Sequence, residues 1–400
     1  MESKVYYGDY SLAYWIELMV RKHIVLPQYQ RFFVWKPNNV KALVTSIRES
    51  RFIPPITIGA FNDGNVKQDL ILDGQQRLTS LLLAALGVFP KYSAWQSDAT
   101  ELGLAGDDEP DSDLDIDSGV VEWTYCKMLD GEVRDIDELM RKCLSNKYDR
   151  LDSNVKLTED ELKNCYMGFC YLVPSGNDAQ MQQSYYAHVF RDLNINTMPL
   201  NILDSRRSLY FLKSGMDELF EPEFTKQIYL IDRLTKKKKQ RIDFVRYLAL
   251  IDEYINVGGN SNKIAKGFNR NQEQYFTQYI GDVVGEENGA RFRTLSAAFN
   301  GKSISQAVQT MKEQYVSSGL PAEYSSIVDM DMAFFGLVYS VLYLGKILDE
   351  NRRGEFIDTY HKTVADIRST DHLKSPSKMA NLRNRIDRSV RLYEEFSHVA

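Results

Sequence analysis

Residues suited to redox or metal chemistry are scarce in this 400-residue chain, which has four cysteines and five histidines. Cys126, Cys143, Cys165 and Cys170 include no Cys-x-x-Cys spacing, which argues against a zinc site and a disulfide framework. Cys165 follows the capping box Thr158-x-x-Glu161 and is expected as a core residue in the helix which that box starts. Long apolar runs are missing as well. The strongest, Met332 to Leu344, falls short of the roughly 20 residues that span a bilayer and is interrupted by Gly, Ser and Tyr. No charged-then-apolar leader opens the chain, so a cytoplasmic protein without a membrane partner is expected. Basic residues are absent from one stretch: residues 98–117 hold nine Asp or Glu and no Lys or Arg. Without those nine charges the net −6 turns positive, so overall acidity does not exclude a DNA-binding face.

What is present is the balance of a soluble globular protein. With 44% hydrophobic and 26% charged residues, the chain is long enough for two domains with cores of their own. In the acidic stretch, Asp111, Asp113, Asp115 and Glu122 fall on carboxylate positions of a calcium loop. Ile116, however, sits where that loop requires glycine. The stretch reads instead as an acidic insertion that could mimic DNA charge.

The most informative segment is Leu72-Asp73-Gly74-Gln75-Gln76-Arg77-Leu78-Thr79. Residues 69–72 end an apolar strand, whereas Leu78, Leu81, Leu82, Ala85 and Leu86 recur with helical spacing, so a helix starts near Gln75. The first turn of a helix offers unsatisfied N–H groups and a positive dipole end, and a glycine before it lets an anion approach the backbone. Arg77 adds a forked donor pair for phosphate oxygens. Asp73 would repel phosphate unless a cation intervenes, and Mg²⁺ suits one carboxylate plus phosphate oxygens. The competing account is a capped helix start with a surface Arg–Asp pair.

Upstream, Pro27 precedes Gln30, Arg31, Phe32, Phe33 and Trp35. Pro37 then starts a helix with Val40, Leu43, Val44 and Ile47 on one face. Ile56 to Phe61 and Val66 to Leu72 flank Asn62-Asp63-Gly64-Asn65, a hairpin signal. The expected order is helix, short strand, helix, hairpin, helix: an α+β scaffold that brings Gln30 and Arg31 close to the Asp73 turn.

Tyr29-Gln30-Arg31-x-x-x-Trp35 and Asp73-Gly74-Gln75-Gln76-Arg77-Leu78-Thr79 resemble the N-terminal domain of GmrSD-type modification-dependent restriction enzymes, a branch of the ParB/sulfiredoxin-like superfamily. A third block, Val189 to Leu200 followed by Asp204, is similar too, with Asn196-Thr197 where the family commonly has glycine. The resemblance covers residues 27–204. It implies binding and hydrolysis of a nucleoside triphosphate with Mg²⁺, coupled to recognition of foreign or modified DNA. Carried over by position, Asp73, Gln76 and Arg77 are the catalytic candidates. Gln30, Arg31, Gly74, Gln75, Arg191 and Asn194 are the nucleotide-binding candidates, and Asp73 is the metal ligand. In that scheme Arg77, Arg31 and the 74–76 backbone hold the polyphosphate, and Gln76 or Gln75 orients the attacking water. Sulfiredoxins carry a catalytic cysteine in the corresponding loop; Gln75 and Gln76 stand there here, so thiol chemistry is not supported.

Full-length GmrSD-type enzymes also carry a C-terminal His-metal-finger nuclease. The nearest match is Asp371-His372 with Pro376, Asn381 and His398, at spacings that do not fit. The plainer account is a loop that opens a last helix with Met379, Leu382, Ile386, Val390 and Leu392 inward. Periodic segments at 204–219, 241–256, 270–284, 303–317, 330–348 and 376–396 mark a mostly α-helical domain over 206–400, after a nucleotide-binding domain over 1–205. Its aromatics, among them Tyr247, Tyr275, Phe334 and Tyr339, are expected in the core rather than under bases. The basic clusters at Lys236–Lys239 with Arg241, and at Arg352-Arg353, are solvated surface or nucleic-acid contacts. Two functions stay open: an NTPase in restriction or anti-phage defence, alone or with a separately encoded nuclease, and a non-catalytic nucleotide- or DNA-binding regulator of such a partner. A DNA-nicking nuclease is a third reading, and homodimer formation is left open.

Overall fold

The two apolar runs that flank Asn62 form the centre of a five-stranded sheet in the computed structural model. It describes residues 3–27, 30, 32–62, 67–95, 123–130, 136–143, 147–174, 178–195, 202–213, 215–232, 238–268, 271–285 and 291–399. The hairpin turn at 63–66 and the acidic stretch at 98–117, with its calcium-loop carboxylates, lie outside the described residues. The chain divides into two compact units, one drawn from residues 1–97 and 117–212 and the other from 213–400.

In the first unit, β1 (Lys4–Ser11) runs into α1 (Leu12–Val20), followed by β2 (Ile24–Val25), α2 (Pro37–Arg48), β3 (Ile56–Asn62), β4 (Lys67–Asp73) and α3 (Gln75–Leu86). β5 (Val88–Pro90) pairs with β6 (Tyr148–Arg150). Between these two lie the short helices α4 (Tyr92–Trp95), α5 (Tyr125–Met128) and α6 (Ile136–Cys143). Last come α7 (Glu159–Asn164), β7 (Tyr166–Val173), α8 (Ala179–Ile195) and α9 (Ile202–Tyr210). The sheet order is β1-β7-β3-β4-β2. β1 with β7 and β3 with β4 are antiparallel, while β3 with β7 and β2 with β4 are parallel. The short strand expected before α2 is β2, and residues 32–36 are irregular.

Both faces of this sheet are covered. Ile56, Ile58 and Ile71 join one core with Trp15, Val40, Leu43, Leu78 and Leu82 of α1, α2 and α3. Leu70, Leu72 and Leu172, which alternate with them, meet Tyr186 and Val189 of α8 on the other face. Gly59 permits this approach. A Cβ there would overlap the Tyr186 ring, whose hydroxyl donates to the carbonyls of Ala60 (2.5 Å) and Leu172 (3.2 Å).

The capping box starts α7 as expected, with the Thr158 hydroxyl accepting from Glu161 N–H at 3.2 Å. Cys165 is not in that helix. Its N–H still bonds to Glu161 C=O, but its own carbonyl accepts from Leu12 N–H at 3.0 Å, which turns the chain into β7. Glu161 also receives Arg48 from α2 through Nε at 2.6 Å and Nη2 at 3.3 Å. The Arg48 hydrogen bonds, aided by Thr158, hold the Glu161 carboxyl down to about 2. A depressed carboxyl contributes stability above its unfolded value near 4.5 and loses it as pH falls toward 2. Glu161→Gln should therefore lower the thermal midpoint near neutrality, with the gap to the native protein closing between about pH 4.5 and 2. A gap independent of pH would contradict this account.

The second unit is mostly helical. It contains α10 (Met216–Phe220), α11 (Phe244–Asn256), α12 (Gln272–Val284), α13 (Leu295–Phe299), α14 (Ile304–Ser318), α15 (Ile327–Leu337), α16 (Arg353–Arg368) and α17 (Met379–Phe396), and among the described residues its strands are two to four residues long. α15 is buried from Val328 to Leu337, the carboxylates Asp329 and Asp331 included. It meets α17 where Gly336 leaves room for Tyr393 and the Ser389 carbonyl. The Ser389 hydroxyl accepts from Gly336 N–H at 2.7 Å, and Tyr393 donates to the Ala333 carbonyl at 2.7 Å. Tyr247, Tyr254, Tyr275, Tyr279, Phe334, Phe335 and Tyr343 are all buried here and Tyr339 is half-buried, which makes these aromatics core packing. Among the described residues no helix is long and apolar enough to cross a membrane.

Candidate functional site

The expected bend is formed by β4 and α3. β4 ends at Asp73, Gly74 adopts φ 93°, and α3 begins at Gln75. That left-handed conformation suits glycine, and a Cβ at position 74 would also strike Ile56. A bulge between Thr57 and Ile58 lies opposite Asp73 and re-aims the end of the hairpin. The first intrahelical bond runs from Leu78 N–H to Gly74 C=O at 2.9 Å, so the amides of residues 75–77 lie ahead of it, at the positive end of the helix.

Around this bend is a cavity of about 510 Å³. Gln30, Asp73, Gly74, Gln75, Gln76 and Arg77 all line it. Arg77 donates from Nη2 to Asp73 Oδ2 at 2.6 Å and from Nη1 to the Pro54 carbonyl at 2.8 Å, with 12% of its side chain exposed. Asp73 is 40% exposed, so its carboxylate remains accessible from the cavity while it orients the guanidinium.

The two flanking glutamines act on the chain itself. Gln76, buried, accepts through Oε1 from the N–H groups of Val34 (3.0 Å) and Trp35 (3.3 Å) and donates from Nε2 to the Phe32 carbonyl at 3.0 Å. Gln30 donates from Nε2 to the carbonyls of Ile71 (2.8 Å) and Leu72 (3.1 Å). These bonds tie residues 30–35 to the end of β4 and the start of α3, across 41 to 44 positions of sequence. In this conformation the Gln76 amide is engaged at both ends, and the water-orienting role expected of Gln76 or Gln75 is not read from these bonds. Spacing shows which residue types are near the bend but not which of them hold the walls together.

Arg31 and the side chains of Arg191 and Asn194 lie outside the described residues. Phe190 of α8, adjacent to Arg191, does line the cavity, so the third sequence block reaches this site through its aromatic residue. Sequence reasoning missed Phe190 and the Pro54 carbonyl. Pro54-Pro55 carried a signal for the second, since a proline pair fixes an extended backbone with exposed carbonyls.

Asp73 is the one carboxylate among the described lining residues of this cavity. One partly exposed carboxylate stands beside backbone donors and a guanidinium, and among the described residues no group of three His, Cys, Asp or Glu could hold a metal ion alone. In the tail, His372 is buried with Nδ1 at 2.5 Å from the Thr370 hydroxyl, and burial with the nearby Arg385 lowers its pKa. Asp371 pairs with Lys378 at 3.4 Å, and Asn381 donates to the Ser375 carbonyl at 2.9 Å. These are the contacts of a loop that opens α17. Of the basic clusters, Arg241 pairs with Glu221 at 2.7 Å and Arg352 with Glu355 at 2.9 Å; the side chains of Lys236–Lys239 lie outside the described residues.

Fold and site together define a helix-flanked α+β domain built around a glycine-centred strand-to-helix bend. Residues 16–211 match the family described as GmrSD restriction endonuclease, N-terminal domain, and this part of the chain belongs to that family. No curated protein and no solved structure matches the chain.

Proposed function

We propose that the N-terminal unit binds a nucleoside triphosphate in the Asp73–Arg77 cavity and hydrolyses it, in a protein that couples this cycle to recognition of nucleic acid in restriction or phage defence. The observation that carries this reading is the Gly74 bend: it aims a helix N-terminus, a guanidinium and an accessible carboxylate at one cavity. Phosphoryl transfer depends on positioning and charge neutralisation more than on a covalent nucleophile. The amides of the first turn of α3 and Arg77 bind phosphate oxygens, and Asp73 both orients Arg77 and would hold Mg²⁺. When bound, the ion would neutralise phosphate charge. Gln75, buried and lining the cavity, is the candidate for orienting water. DNA, with a separately encoded nuclease, completes the proposed system.

The engagement of the Gln76 amide at both ends favours a second reading, in which the unit binds nucleotide without turning it over and regulates a partner nuclease. Phosphate release from each of the four ribonucleoside triphosphates with Mg²⁺, with and without plain and modified DNA, separates the two. Turnover supports the first, nucleotide binding without turnover the second, and absence of both overturns the assignment of the cavity.

A further inference from the structure

A second cavity, of about 560 Å³, lies at the other end of β4, beside Asp69, Phe61 of β3, Tyr14 of α1 and Tyr171 of β7. Asp69 precedes Asp73 by four residues, about 13 Å along a strand, so the two cavities are separate. The Asp69 carboxyl is half-buried. Its Oδ1 accepts from the Tyr171 hydroxyl at 2.9 Å, and among the described residues it makes no ion pair. Its backbone N–H donates to the His23 carbonyl at 2.9 Å, which fixes the strand beneath it. His23 and Lys67, both exposed, add basic groups to the lining.

Such a lining discriminates among ligands. A carboxylate between aromatic rings would suit an organic cation, but the two basic groups beside it oppose one. They suit a ligand that carries N–H donors on a flat ring and negative charge at a distance from them. A nucleotide has that distribution. Carboxylates accept from exocyclic amino groups of bases, and rings such as those of Tyr14, Phe61 and Tyr171 pack on base faces. Thymine presents an imide N–H flanked by two carbonyls, which a carboxylate repels.

We infer that this second cavity binds an amino-bearing nucleobase, with Asp69 accepting from the amino group, the tyrosine and phenylalanine rings packing on the base, and Lys67 and His23 meeting the phosphate. The inference deepens the nucleic-acid half of the proposed function and does not depend on triphosphate turnover. The base can come from a free nucleotide or from a DNA strand.

The test is binding of the full chain to dAMP, dCMP, dGMP and dTMP and to the single-stranded hexamers dA, dC and dT, by calorimetry and fluorescence anisotropy. The expected result is at least about tenfold weaker binding of thymine than of amino-bearing ligands. Asp69→Asn, which still offers Tyr171 an acceptor, should reduce that preference to less than about threefold, and Tyr14→Ala, at an exposed position, should weaken all bases about tenfold or more. Binding of mononucleotides identifies a free nucleotide as the source, and binding of hexamers alone identifies a strand. The same series on Arg77→Ala keeps the two cavities apart: a preference that survives there belongs to Asp69. A preference that vanishes with Arg77, that is absent from the native protein, or that Asp69→Asn leaves intact would overturn the inference, even if triphosphate turnover is observed.

Discussion

Arg77→Ala should lower nucleoside triphosphate turnover by at least about a hundredfold, the scale on which a preorganised charged donor acts on a phosphoryl or acyl transition state. The guanidinium is already fixed in the cavity wall by Asp73 Oδ2 and the Pro54 carbonyl, so on the proposed reading it would meet phosphate without a conformational search. Lysine retains the charge but not the two-pronged geometry, which places Arg77→Lys between the native protein and the alanine variant. Truncation also removes the partner of a partly buried Asp73. Because Asp73 is 40% exposed and can be resolvated, a stability loss of only about 1 kcal/mol or less is expected alongside, and circular dichroism must show the variant folded before turnover is compared. Folded Arg77→Ala that hydrolyses nucleotide at the native rate would remove Arg77 from the mechanism.

The parts of this arrangement legible in sequence are the local ones. Asp73-Gly74 before an apolar 3.6-residue period announces the bend, Pro37 and its following apolar face announce α2, and Thr158 with Glu161 announces α7. Each is set within a few residues by backbone sterics or one side-chain bond. Long-range partners are not set that way. Nothing near Gln76 indicates that its amide will hold residues 32–35, and nothing near β7 indicates that it inserts between β1 and β3. Cys165 falls outside the helix expected for it for the same reason, because the carbonyl that turns the chain there is held by Leu12. α16 is a different case. Phe356, Tyr360, Val364 and Ile367 recur at helical spacing and are buried, but Gly354 and the charged residues between them mask that period in the sequence.

Asp331→Ala should destabilise the second unit by about 3–5 kcal/mol, a large fraction of the roughly 5–15 kcal/mol that holds a domain folded. Asp331 is fully buried on α15, and its Oδ2 accepts from Arg385 Nε of α17 at 2.9 Å and from Arg246 Nη2 of α11 at 3.2 Å. Both guanidiniums are buried too, Arg385 completely, so removing the carboxylate leaves two positive charges facing each other in a medium that cannot screen them. Burial and then Asp331 push the adjacent Tyr247 hydroxyl well up, so it stays neutral and takes no part in the compensation. The position of the charge makes the effect cooperative, since one carboxylate ties α11, α15 and α17 together. Urea unfolding is the measurement, and a loss below about 1 kcal/mol would mean that the triad contributes little. The double variant Asp331→Ala/Arg385→Met provides the control: it deletes one of the stranded charges along with its counter-ion. It should be less destabilised than the two single substitutions added together.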